Sequence, residues 1–130
     1  MLKKITVRTT AREQFIDITD DVRDAVREFA LRDGVVTVFV PHTTAAVTIN
    51  ENADPTVVSD ILLALDKAVP DQRAFRHAEG NSTAHVKSSL VGCSQDMIVA
   101  EGRLLLGTWQ GVYFCEFDGP RARSCYIKAT

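Results

Sequence analysis

The chain has 130 residues, with 15 Lys and Arg against 17 Asp and Glu, a net charge of −2. That length fits one domain able to bury its own core, and 45% hydrophobic with 25% charged residues is the composition of a soluble globular protein. General nucleic-acid binders show a basic excess that is missing here, no apolar run approaches the roughly 20 residues of a membrane span, and "MLKKITVRTT" has no apolar stretch behind its lysines, so the expectation is a single cytoplasmic domain over residues 1–130 with neither nucleic-acid nor membrane partner.

"KKITVRTT" alternates apolar and polar residues and reads as a first strand, with "QFIDI" a short second one. "TDDVRDAVREFALRDG" has helical spacing, with Val22, Ala25, Val26, Phe29 and Ala30 on one face. Thr19 or Asp20 is placed to cap its start and Gly34 to end it. "VVTVFV" is β-branched and nearly continuous in apolar character, the pattern of a central strand. In "TAAVTINE", Ala45, Val47 and Ile49 share one face and Thr44, Ala46, Thr48 and Asn50 the other.

"DPTVVSDILLALDKAV" predicts a second helix, capped by Asp54, opened by Pro55 and stopped by Pro70. Its stripe is Val58, Ile61, Leu62, Leu65 and Val69. Residues 70–84 are polar and aperiodic, the longest irregular segment. "HVKSSLVG" fits a short helix or a strand equally well. "DMIVAEGRLLLG" reads as two strands around a Glu101–Gly102 turn, and the rest as two more around "DGPR". In the long strand after residue 108, Trp109, Gly111, Tyr113, Cys115 and Phe117 share a face. Two main helices among seven or eight strands give an α+β class, mainly antiparallel, with a sandwich or barrel-like sheet.

Cys93, Cys115 and Cys125 show no paired spacing and read as small buried hydrophobes. All three histidines, His42, His77 and His85, fall in polar segments. Three neutral imidazoles suit zinc and leave a position open for water or substrate, although their spacing fixes no common face. Asp54 is explained by capping alone, while Glu51 has no such structural role. Thr43, Thr44, Ser88 and Lys87 offer hydroxyl and ammonium donors for a phosphate. From the sequence alone Lys87 reads first as a solvated surface lysine, and Arg121 and Arg123, which could add charge, flank a turn and read as exposed. Trp109 is either a core residue between glycines or an aromatic platform, with Gln110 beside it to read a polar edge.

Together "HTTAAVTINENADPTVVSDI", "HAEGNSTAHVKSSLVG" and "GRLLLGTWQGVYFCEFDGPR" resemble the YjbQ family, also called UPF0047. The resemblance runs across nearly the whole chain. Its most specific element is GxxxxGTWQ, here Gly102 to Gln110. Cys93 departs from a usual small or hydroxylated residue. The resemblance implies an α+β fold with antiparallel sheets and a homotrimer. It implies secondary thiamine-phosphate synthase activity, which joins a hydroxymethylpyrimidine diphosphate to a thiazole phosphate and releases diphosphate. The family's three motif histidines match His42, His77 and His85.

On that reading, His42, His77, His85 and Glu51 carry catalysis. The histidines hold a divalent metal, Zn or Mg. Thr43, Thr44, Asn52, Asp54, Lys87, Ser88, Thr108, Trp109 and Gln110 bind a phosphorylated small molecule. Two alternatives stand beside it: a metal-dependent hydrolase with a three-histidine site, and a non-catalytic trimeric module binding a metal or small ligand.

Overall fold

A computed structural model describes residues 1–130. Its order is β1 (Leu2–Arg8), β2 (Gln14–Asp17), α1 (Thr19–Glu28), β3 (Gly34–Phe39), β4 (Ala45–Glu51), α2 (Pro55–Ala68), α3 (Ser82–Val91), β5 (Ser94–Ala100), β6 (Arg103–Leu104), β7 (Gln110–Glu116) and β8 (Ala122–Ala129). The strands form a five-stranded sheet, β1-β8-β3-β5-β6, and a three-stranded sheet, β2-β7-β4, with every pair antiparallel. The α+β class holds, with three helices rather than two.

The main core lies between the sheets. Val36, Val38, Met97, Val99, Cys125 and Ile127 from the larger sheet meet Ala45, Val47, Val112 and Phe114 from the smaller. From α1, Val22, Ala25 and Val26 close the same core. A second cluster covers the outer side of the smaller sheet: Ala46, Tyr113, Cys115 and Phe117 pack with Ala84 of α3 and with Val58, Leu62 and Leu65 of α2. The alternation of β4 and β7 sorts side chains into these two clusters, as their patterns predict. No helix is long and apolar enough to cross a membrane.

Three expectations change. The N-cap of α1 is Ile18 rather than Thr19 or Asp20, with Asp17 accepting from the Thr19 N–H at 2.9 Å. The helix ends at Glu28 with Phe29 as its C-cap, followed by Ala30 at a positive φ of 51°, well before Gly34 opens β3. "HVKSSLVG" belongs to α3, which starts back at Ser82, so His85 sits on a helix and not in the long loop. The two strands around "DGPR" do not pair with one another, since β7 lies in the smaller sheet and β8 in the larger. That crossover carries the chain from one layer to the other beside the end of β4.

Candidate functional site

Strand β4 divides the expected site. Ala45 pairs with Glu116 at one end and Glu51 with Gln110 at the other, so the two ends are roughly 20 Å apart at strand rise. His42, Thr43 and Thr44 precede the first end, and Glu51 and Asn52 lie at the second. The structure brings His42, His77 and His85 to one corner. It puts Glu51, Asn52, Thr108, Trp109 and Gln110 at the opposite end of the sheet, so these residues do not form a single wall within one chain.

His85 is the hub of the histidine corner. Its position on the first turn of α3 lets it line three hollows. One, of about 500 Å³, also touches His42, Thr43, Ser88 and Cys93. A second, of about 350 Å³, is faced by Phe75, His77, Ser82 and Val86. A third, of about 230 Å³, is wholly polar and includes Thr43, Thr44, His77, Asn81, Asp118 and Arg121. The rings of His77 and His85 stand edge to face with centroids 5.2 Å apart. His77 Nε2 lies 3.9 Å from Glu79 Oε2.

His42 is held differently. Its Nε2 accepts a hydrogen bond from the Ser124 N–H at 2.9 Å, which requires that nitrogen to be unprotonated. Burial, followed by the charge of Arg123, lowers its pKa below the ordinary value. The remaining nitrogen, Nδ1, is the one free to face a ligand. No three His, Cys, Asp or Glu side chains converge as a ready ligand set.

Beneath the corner lies a buried ion pair. Arg123 meets Glu116 through two hydrogen bonds, the Nε one at 2.9 Å, and donates from Nη2 to Thr44 Oγ1 at 2.8 Å. Glu116 also accepts from Thr9 Oγ1 at 2.8 Å and from the Asp118 N–H at 3.0 Å. Burial would raise its pKa, but these donors outweigh it and hold the carboxyl below the usual range. The expectation that Arg123 is exposed is corrected: it is 4% exposed. Arg121, two residues earlier, points the other way. It caps the polar hollow, donating to Asp118 Oδ2 at 3.1 Å. Asn81 Nδ2 donates to the same carboxylate at 2.8 Å, while Asn81 Oδ1 is buried without a partner.

Other expected residues have structural roles. Lys87 is not a solvated lysine. It is 3% exposed, with Nζ 2.7 Å from Glu13 and 2.6 Å from Asp66. Burial works against its charge, yet the two carboxylates win and raise its pKa. It lines a separate hollow between α2 and α3. The Ser88 hydroxyl donates to the Ala45 carbonyl at 2.7 Å. Asp54 caps α2, accepting from the Thr56 N–H at 2.9 Å. Cys115 and Cys125 are buried, and burial pushes the Cys125 thiol up to about 12. Cys93 is exposed instead and borders the hollow shared by His42 and His85.

At the far end of β4, the Gly107–Gln110 turn is closed by Gln110 itself, whose Oε1 accepts from the Gly107 N–H at 2.8 Å. Trp109 precedes β7 and is 62% exposed, so it is no core residue. The Asn52 N–H donates to the Trp109 carbonyl at 3.0 Å, and Asn52 Nδ2 to Asp17 at 3.0 Å. The Tyr113 hydroxyl donates to the Glu51 carbonyl at 3.2 Å.

Sequence reasoning missed Asn81, Asp118 and Cys93 at the histidine corner, and read Arg121 only as an exposed charge beside a turn, which it is. Only the "DGPR" turn signalled Asp118 and Arg121, because a turn at the edge of a sandwich puts its polar residues beside whichever loop crosses there.

A family profile described as "UPF0047 protein YjbQ-like" matches residues 3–130. The UPF0047 protein YugU of Bacillus subtilis is 54% identical over 129 residues, 98% of each chain. The UPF0047 protein MJ1081 of Methanocaldococcus jannaschii is 53% identical, over 98% of this chain and 93% of its own. Among solved structures, an uncharacterized conserved protein of the YjbQ/UPF0047 family from Clostridium acetobutylicum superposes with a TM-score of 0.96 at 53% identity, covering 98% of this chain and 99% of that one. A YbjQ-like protein of unknown function from Sulfolobus solfataricus reaches 0.95 at 31% identity, covering 99% and 95%. With the motif histidines, the GTWQ turn and the two-sheet fold all in place, the chain belongs to the YjbQ-like UPF0047 family.

Proposed function

We propose that the histidine corner binds a phosphorylated small molecule and transforms it by a displacement of the thiamine-phosphate synthase type. The observation that carries this reading is the junction at His85. There a wholly polar hollow bearing Arg121, Thr43 and Thr44 adjoins one faced by Phe75 and Val86. A guanidinium with hydroxyl donors suits phosphoryl oxygens, and the apolar hollow suits a planar heterocycle.

In that reaction the thiazole nitrogen donates its electron pair to the methylene carbon of the pyrimidine. The carbon–oxygen bond breaks, and its pair leaves on diphosphate. Arg121 answers the growing negative charge. His77 and His85 donate hydrogen bonds or a proton to the leaving oxygens. The test supplies purified protein with the two precursors and measures diphosphate release. A rate abolished by His85→Ala supports the reading, whereas an undiminished rate in that variant assigns the turnover to a contaminant.

A second reading, metal-assisted hydrolysis, rests on the pairing of exposed His77 with half-buried His85, with Glu79 beside His77. His42 fits it less well, because its Nε2 is already engaged by Ser124. Metal analysis of protein purified without chelator tests it, with His77→Ala expected to lower the metal content. Both readings accommodate a homotrimer, for which the apolar outer face of the larger sheet is the natural contact.

A further inference from the structure

A second charged hollow lies away from the histidine corner. It opens between α1 and the β5–β6 turn, has a volume of about 400 Å³, and is lined by Arg23, Val26, Arg27, Gly102, Arg103 and Leu104. Arg23 and Arg27 are four residues apart on α1, so they rise one helical turn apart on one face. Arg103 opens β6 directly after a tight turn in which Glu101 and Gly102 both take positive φ, 53° and 76°. Arg32 folds over that turn. Its carbonyl accepts from the Gly102 N–H at 2.9 Å, and a Cβ at Gly102 would fall 2.8 Å from its Nη1.

Carboxylates answer only part of this charge. Arg23 reaches Asp20 at 3.4 Å and Arg27 meets Asp24. Arg32 and Arg103 make no ion pair. Asp33 is turned to the Glu101 N–H, at 3.4 Å, and Glu28 pairs with Lys3. Arg103 in the lining and Arg32 beside the Gly102 turn are thus left without a counter-charge, which an anion in the hollow would supply. The volume is within the range of small-molecule sites, and Val26 and Leu104 supply an apolar floor.

The position also separates it from the histidines. The hollow adjoins the Gly34–Val99 end of the β3–β5 pair, whereas His42 follows the Phe39–Ser94 end. Five steps along the strand put the two ends roughly 17 Å apart.

We propose that this arginine hollow is a second ligand site, taking a small organic phosphate with at least two phosphoryl charges. Guanidinium forks match phosphoryl oxygens two at a time, and two arginines without a carboxylate partner, Arg103 of β6 and Arg32 of the loop after α1, call for more than a single charge. The site stands independently of the reading given to the histidine corner.

The test is calorimetric titration of the full chain with inorganic diphosphate at low salt. Arg121→Gln serves as the background, silencing the other corner. Binding is expected to survive in Arg121→Gln and to weaken at least about tenfold when Arg27→Gln and Arg103→Gln are added. Both arginines are exposed, and a circular-dichroism melt checks the fold of each variant. Should the pair fail to fold, Arg103→Gln alone in the same background must still weaken binding severalfold. Equal affinity in the folded arginine variants, or complete loss in Arg121→Gln alone, overturns the site. Tighter binding of a short single-stranded RNA than of diphosphate, lost in the same arginine variants, overturns the ligand class.

Discussion

Gly111 explains why the GTWQ motif is followed by a glycine. A Cβ there would lie 2.4 Å from Asn52 Nδ2 and 2.8 Å from Asn52 Cβ, so the whole Asn52 side chain would have to leave its contact with Asp17. Gly111→Ala is expected to cost about 1–3 kcal/mol in denaturant unfolding, with the Asn52–Asp17 bond lost. Glu116 is more sensitive. Glu116→Leu leaves the Arg123 guanidinium buried without its counter-charge, and a loss of about 3–5 kcal/mol is expected by the same measurement. His42 adds a pH dependence. Its folded pKa is depressed, so below about 6.5 the unfolded chain takes up a proton that the folded one resists. Stability contributed by this residue is therefore present at neutral pH and lost as pH falls through the folded pKa. Thermal melts of His42→Gln should show a shallower fall from pH 7 to pH 5 than the parent chain. The alternation of residues 111–117 was readable because strand period alone decides which side chains share a face. The burial of Arg123 was not, because its partner Glu116 belongs to the other sheet and no local pattern links them.

Helix α3 shows where pattern reading stops at the level of elements. Its buried positions are Ala84, Lys87 and Ser88, with Val91 also packed inward. That spacing is helical, but a lysine and a serine sit where an apolar stripe would normally mark the face. They are tolerated because Lys87 reaches Glu13 and Asp66, and Ser88 reaches the Ala45 carbonyl. Lys87 thereby ties α3 to α2 and to the loop before β2. Lys87→Met should leave two carboxylates facing each other and lower the melting temperature. Adding Asp66→Asn should recover part of that loss, which a merely solvated lysine would not show. The capping of α1 makes the same point more simply. Asp17, at the end of β2, does the work that Thr19 and Asp20 were expected to do, and Asp17→Ala should cost about 1 kcal/mol of stability. α2 followed its sequence closely because Asp54 and Pro55 combine a cap with a pre-set first turn, and both act locally.

The central-strand reading of "VVTVFV" bears on the whole molecule. β3 does lie inside the larger sheet, between β8 and β5, yet only Val36 and Val38 are in the core. Val35 and Phe39 face outward, as does Ile98, which pairs directly with Val35. Tyr126 lies opposite Phe39, and Leu105 follows beside Ile98, to whose carbonyl its N–H donates at 2.8 Å. An antiparallel sheet with one face in water normally shows polar residues there; on the outer face of β3 only Thr37 is polar, bonded to Asp96 at 2.6 Å between Val35 and Phe39, which is why the run reads as nearly continuous. Exposed apolar residues on either side of that polar pair suit an interaction surface. A homotrimer packed through it would also change how the split site reads, since a neighbouring copy could carry its own Trp109 and Asn52 toward another chain's histidines. Phe39→Asp combined with Ile98→Lys tests this assembly. Neither side chain belongs to the core, so the double variant should keep its fold by circular dichroism. Sedimentation equilibrium should then give a chain of monomer mass where the parent gives three times that value. If the histidine corner draws on a neighbour, diphosphate release should fall with the trimer. Activity that persists in a folded monomer would confine the chemistry to the residues around His85 within one chain.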